Sequence, residues 1–313
     1  MDRMRRINRL VTLLMVLAVL CSCVSVAAAE TADQIYIENE WNFVDGSMDV
    51  SHGIPDNATG VLDRIRRTGV LRVATEPYYA PQEFIDPEKT GQSQYVGADM
   101  RLARLIAERM GVELEIIPME FTQVLPALAE DQCDLTVSAL SYTPARAGSY
   151  TLSKGYYYSE NIASAGFVIR EEDKEKIKSL DDFTDKVLIA QSSSLQEAQA
   201  AAHVRTYKEF RRVSAVKTIY ETVRQGKAFA GVVDVEAAEA YIRNNPGCGL
   251  CIAEGEELFF SLDKEFQGDR IAAKKNEEML LYFVNGVIDE VLQDGTYLQW
   301  MEEARKRAAE LGM

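Results

Sequence analysis

From Val61 onward the sequence alternates between strand-like and helix-like segments, in two rounds divided by a charged break. In the first round, "VLDRIRRTG" predicts a short helix stopped by Gly69, and "VLRVAT" predicts a strand. "GADMRLARLIAERMG" predicts a helix with Leu102, Leu105, Ile106 and Met110 on one face and Gly111 at its end. "VELEII" alternates apolar and acidic residues, as a strand packed on one side does, and Pro118 ends it. "TQVLPALAE" and "CDLTVSAL" add a helix and a strand. After "REEDKEKIKSLDDF" the order resumes: "KVLIAQ" as strand, "SSSLQEAQAAA" and "TIYETVRQG" as helices, "AFAGVVD" as strand, "VEAAEAYIRN" as helix. The tail is helical with a break at "DGT". Alternation of this kind specifies an α/β protein with mostly parallel sheets flanked by helices. Two units of similar size imply two lobes around a cleft, a common place for a ligand.

A chain of 313 residues is long enough for two domains or one large one. Its net charge of −15 argues against a polyanionic partner, because phosphate binding relies on clustered Lys and Arg. Nucleic acid binding is therefore not expected. The N-terminus has the form of an export signal: basic "MDRMRRINRL", apolar "VTLLMVLAVL", then small residues that predict cleavage after Ala29. The apolar run is short for a membrane span. Cys23 in "LCSC" offers the alternative of a lipid-bearing N-terminus. Either way the mature chain lies outside the cytoplasm, in the periplasm or on the outer face of the membrane. Residues 30–59 are polar and turn-rich and read as an extended lead-in, with Trp41 and Phe43 available to pack on the body. Beyond the leader, Cys133 reads as a buried thiol. Cys248 and Cys251 in "CGLC" read as a local disulfide or two plain thiols. With one CxxC and only His52 and His203, no metal site is expected.

"SALSYTPAR" leaves Arg146 among small and hydroxyl residues after an apolar run, which suits either a solvated loop or an anion pocket. This segment is one of seven, in order, that resemble the polar amino acid-binding proteins. The others are "VLRVATEPYYAPQEF", "YVGADMRLARLIAERMG", "YTLSKGYYY", "KVLIAQSSSLQE", "GKAFAGVVDVEAA" and "LQDGTYLQW". These are the solute receptors of ABC importers, and the resemblance implies the two-lobed type II periplasmic-binding-protein fold. Lobe I would comprise 60–158 and 269–313, and lobe II 159–268. Hinge crossovers are expected near 157–161 and 267–271. The resemblance further implies a free amino acid as ligand, an ABC permease as partner, a monomer, and no cofactor.

Roles follow from the same resemblance. Arg146 corresponds to the arginine that grips the α-carboxylate, a task its planar fork suits. Ser141 would add a backbone N–H, and the Ala139 carbonyl would accept from the α-ammonium. Ser193 and Ser194 open a helix whose N-terminus favours an anion. Asp234 would hold the α-ammonium. Tyr79 and Phe121 would flank the ligand side chain, and Glu76 would meet a basic or amide end. Plain structural duties are available too: Asp234 and the serines as helix caps, Tyr79 and Phe121 as core aromatics. Ser192 in place of glycine, Gln82 in place of an aromatic, and the missing acid before Arg146 depart from the family pattern. An enzyme on the same fold, similar to cyclohexadienyl dehydratase, is the alternative. It needs a buried acid, for which Glu76 is the candidate and Asp234 the second choice. "YYY" at 156–158 is assigned to the lobe crossover rather than to the ligand.

Overall fold

The computed structural model describes residues 43–159, 165–264 and 267–313. The export leader, Cys23 and Trp41 lie outside the described residues.

Two five-stranded sheets organise the chain. The first holds β1 (Val70–Thr75), β5 (Glu113–Pro118), β6 (Leu135–Ser141), β7 (Tyr150–Leu152) and β13 (Asp269–Lys274), in the order β5-β1-β6-β13-β7. β5, β1 and β6 are parallel, whereas β13 runs antiparallel to both β6 and β7. The second sheet holds β8 (Gly166–Arg170), β9 (Val187–Gln191), β10 (Glu209–Val213), β11 (Ala230–Val233) and β12 (Leu250–Ile252), in the order β10-β9-β11-β8-β12. Here β10, β9 and β11 are parallel, and β8 is antiparallel to β11 and β12. Three parallel strands per sheet match the alternation in the sequence. The antiparallel members β8 and β13 are the strands by which the chain enters one lobe and returns to the other. A small antiparallel sheet joins β2 (Tyr78–Tyr79), β3 (Glu83–Ile85) and β4 (Tyr95–Val96).

The helices close where their stop residues lie. α1 (Gly60–Thr68) ends at Gly69 with φ 71°, and α2 (Ala98–Met110) at Gly111 with φ 70°, a left-handed conformation that glycine adopts without a Cβ clash. α2 buries Leu102, Ile106 and Met110, as their spacing requires. α3 (Phe121–Ala129) and α4 (Pro144–Ser149) flank β6. The second lobe carries α5 (Leu195–His203), α6 (Val216–Arg224) and α7 (Val235–Asn244). α8 (Glu278–Gln293) and α9 (Thr296–Glu310) return to the first lobe, where α9 packs on α2.

The end of the lead-in is part of the body rather than a tether. Val44 N–H donates to the Leu152 carbonyl at 2.7 Å, Phe43 bridges to Leu152, and Val50 is buried. Gly286 on α8 allows this: a Cβ there would collide with the Met48 carbonyl. Cys133, Cys248 and Cys251 are free thiols. Cys248 and Cys251 pack into different clusters, one around Val168 and Ile189 and the other around Phe167 and Ile169. Because alternate residues of β8 and β9 point to opposite faces, the pair is split across the sheet.

The two passages between lobes lie side by side. Asp269 N–H donates to the Tyr157 carbonyl at 2.9 Å, and Tyr156 N–H donates to the Asp269 carbonyl at 2.9 Å. Asp269 thus stands where both passages meet the cleft.

Candidate functional site

The cleft between the sheets offers about 900 Å³ of empty space, part of it open to solvent. Glu76, Tyr79, Phe121, Ala139, Ser141, Arg146, Ser194 and Asp234 all line it. Segments far apart in sequence meet there because parallel strands bring their C-terminal ends to one edge of each sheet.

Arg146 is positioned by a short, well-capped helix. The Thr143 hydroxyl accepts from Arg146 N–H at 3.1 Å, and Pro144 opens the turn. The guanidinium is 7% exposed and donates to the Ser141 carbonyl at 2.7 Å and to the Ser193 carbonyl at 3.1 Å. It lies 5.7 Å from the Phe121 ring centre. Among the described residues it forms no ion pair, and burial lowers its pKa to about 10, opposed by the charge of Asp269.

Asp234 caps α7, its carboxylate accepting from Ala237 N–H at 2.9 Å. Burial pushes its pKa up to about 7 against this bond and another from Tyr79. The capping duty and a place at the cleft therefore coexist. Glu76 accepts from Gln191 Nε2 at 2.9 Å, yet burial raises its carboxyl to about 8. Arg146 to Ser193, Tyr79 to Asp234 and Gln191 to Glu76 each run from one lobe to the other, so the cleft is closed.

Backbone strain marks two of the proposed positions. Ala139 has φ 43° and Ser193 φ 64°, both in the left-handed region that non-glycine residues rarely occupy. Ala139 N–H donates to Asp99 Oδ2 at 2.9 Å, which holds the kink in β6. Ser193 does not line the cleft. Its carbonyl meets Arg146, while its N–H donates to Glu197 Oε2 at 2.7 Å. Ser194 is the cap of α5, accepting from Glu197 N–H at 3.0 Å. One early N–H of α5 is thus taken by the Ser194 cap, and the N–H just before the cap by Glu197.

Several cleft residues carry no signal in the sequence. Gln191, Glu83, Glu236 and Asp269 line the site, and Asp99 stands behind it. Glu83 and Asp269 are held well above the usual carboxylate range, chiefly by burial. Burial also raises Asp99, although the Tyr156 and Tyr297 hydroxyls donate to it at 2.7 and 2.6 Å. Tyr157, assigned from the sequence to the crossover alone, also lines the cleft and donates to Glu236 Oε1 at 2.8 Å. Each of these acids looks like a surface residue in a one-dimensional reading. Only the fold shows that five carboxyl groups (Glu76, Glu83, Asp234, Glu236 and Asp269) and one arginine share a single concave wall.

The site can offer a cation for an anionic group, carboxylates for a cationic one, and aromatic faces between them. The model of the bacterial extracellular solute-binding proteins, family 3, matches residues 71–304. The chain is similar to a probable amino-acid ABC transporter-binding protein of Haemophilus influenzae, 26% identical over 249 residues, 78% of this chain and 87% of that protein. It is also similar to cyclohexadienyl dehydratase of Pseudomonas aeruginosa, 25% identical over 205 residues, 66% of this chain and 73% of the enzyme. Among solved structures, the amino acid ABC transporter substrate-binding protein AbpA of Streptococcus pneumoniae bound to L-arginine superimposes with a TM-score of 0.69. Its identity is 27%, covering 79% of this chain and 99% of that one. The architecture is that of the type II periplasmic binding proteins. With the family match spanning most of the chain and the lobes and cleft in place, this protein belongs to the bacterial extracellular solute-binding proteins, family 3.

Proposed function

We propose that the protein is an extracytoplasmic receptor that binds a free amino acid between its lobes and delivers it to an ABC permease. The observation that carries this reading is the pairing of Arg146, buried, with Asp234, half-buried, in one cleft, neither of them in a salt bridge among the described residues. A zwitterion supplies both missing charges. Its α-carboxylate takes the Arg146 fork with Ser141 N–H, and its α-ammonium takes Asp234 with the Ala139 carbonyl. From lobe II, Ser194 faces the carboxylate, and the Ser193 carbonyl holds the Arg146 guanidinium from outside the cleft lining. Tyr79 and Phe121 flank the side chain, which extends toward Glu76. The surplus of carboxyl groups favours a basic side chain, and the L-arginine complex of the pneumococcal relative supports that choice. Binding then shifts the lobes toward the closed state, because each contributes half of the contacts. Lobe I is assigned to 60–158 with 269–313, and lobe II to 159–268. The receptor acts as a monomer, exported by its leader with cleavage after Ala29 or lipidation at Cys23.

A thermal-shift screen of the chain from Glu30 against the twenty amino acids tests this reading. A ligand at about a hundredfold over its Kd stabilises by about 2.7 kcal/mol. A shift with one or a few amino acids that Arg146→Ala removes is the expected result. One observation favours a second reading: a Glu76 carboxyl raised to about 8 keeps its proton near neutral pH, as a general acid for dehydration must. Turnover of prephenate with no amino acid shift would establish that reading instead.

A further inference from the structure

One polar side chain on the lobe I wall has no part in the amino acid clamp. Gln82 follows the cis Ala80–Pro81 bond, lines the cleft, and is 7% exposed. Its main chain is fixed: the carbonyl accepts from Asp99 N–H at 3.0 Å, and Gly97 packs so closely on it that a Cβ would collide. Its side-chain oxygen is buried and has no hydrogen-bond partner among the described residues. Ser138 beside it, by contrast, is engaged. Ser138 Oγ accepts from Glu76 N–H at 3.0 Å and donates to Glu83 Oε1 at 3.0 Å. Glu83 Oε2 shares with Gln82 the lack of a hydrogen-bond partner among the described residues, but it belongs to a carboxyl that burial and the nearby Asp99 raise well above the usual range. Gln82 is left as a buried acceptor facing a cleft, in a stretch where an apolar residue would fit the surroundings at no desolvation cost.

Resting on the receptor reading above, we infer that Gln82 is a specificity-determining residue that accepts a hydrogen bond from an N–H at the far end of the ligand side chain. The cleft would thereby select side chains ending in nitrogen donors, a guanidinium above all, over side chains of similar length ending in a methyl group. The guanidinium carries five N–H donors, enough to serve the Glu76 carboxylate and the Gln82 amide together. A site built to hydrogen-bond its ligand discriminates strongly against an analogue lacking the donor, since the buried acceptor is then left bare.

Calorimetric titration of L-arginine and L-norleucine into the wild type, Gln82→Leu and Gln82→Glu decides the matter. Gln82→Glu keeps an acceptor at the position, so arginine affinity should hold within about threefold. Gln82→Leu should lose about tenfold for arginine with no matching loss for norleucine, and its ligand-free melting temperature should stay within a few degrees of wild type. Undiminished arginine affinity in Gln82→Leu overturns the inference, as does an equal loss for both ligands or an equal loss in both variants. A wild type that binds amino acids but none with a side-chain N–H overturns it as well. A wild type that binds no amino acid contradicts the receptor reading itself, which separates the two failures.

Discussion

Glu76 and Asp234 are carboxyl groups whose burial outweighs every bond they receive. In the closed cleft they are pushed up to about 8 and about 7, well above the ordinary carboxylate range. Between the unfolded and folded values the native state binds more protons than the unfolded chain, so its stability falls as pH rises through that window. The ligand-free melting temperature should therefore drop from pH 5 to pH 8, and Glu76→Gln should flatten the slope. A cationic ligand displaces these protons, so its affinity should rise over the same range, with proton release visible in the buffer dependence of the binding enthalpy. A flat melting profile and no release would contradict this. Arg146 and Asp234 were readable in the sequence because each stands in a motif with a defined neighbour pattern. Asp269, Glu83 and Asp99 were not. A lone acid beside a strand looks the same whether it faces solvent or a cleft, and only pairing with a distant segment decides.

At the scale of elements, the site depends on short pieces more than on the long helices. α4 is six residues, yet it aims Arg146, and its one side-chain cap is the Thr143 hydroxyl. Thr143→Ala should cost about 1 kcal/mol of stability. It should also weaken ligand binding while leaving the sheet structure intact, as urea unfolding and a titration on the same sample would show. Equal affinity in the variant would mean that β6 alone positions the arginine. The parallel strands other than β10, and the helices with glycine stops, were legible because periodicity and left-handed caps are local signals. The strands β2, β3, β4, β7, β8, β10, β12 and β13 were not recognised. "GFVIR" and "DRIAAK" are short, lack alternation, and become strands by antiparallel pairing with segments distant in sequence, β11 and β12 for the first and β6 and β7 for the second.

For the whole molecule, closure is braced from the C-terminal helix. Arg305 on α9 donates to Glu236 Oε1 at 2.6 Å and to the Tyr157 hydroxyl at 3.0 Å, and Ser159 donates to Glu236 Oε2 at 2.7 Å. Glu236 lies two residues beyond Asp234 on α7, so a first-lobe helix and a crossover both hold the element that carries the proposed ammonium site. Arg305 is 42% exposed on its side chain, which limits the pair to about 1 kcal/mol, roughly a fivefold change in affinity. Arg305→Ala should enlarge the ligand-free radius of gyration in solution scattering and leave the liganded value unchanged. Identical radii in both states would show that the brace does not set the equilibrium. Two lobes and a cleft were visible in the order of elements, but the contacts that hold them shut join residues about fifty or more positions apart.

The central claim is that Arg146 reads an α-carboxylate. Calorimetric comparison of L-arginine with agmatine, which has the same side chain and ammonium but no carboxylate, tests it most directly. Removing one partner of a buried, hydrogen-bonded charge pair costs about 2–5 kcal/mol. L-Arginine should therefore be preferred by at least about thirtyfold in the wild type, and the preference should collapse in Arg146→Ala. Equal affinity for the two ligands, or a preference that survives Arg146→Ala, would contradict it.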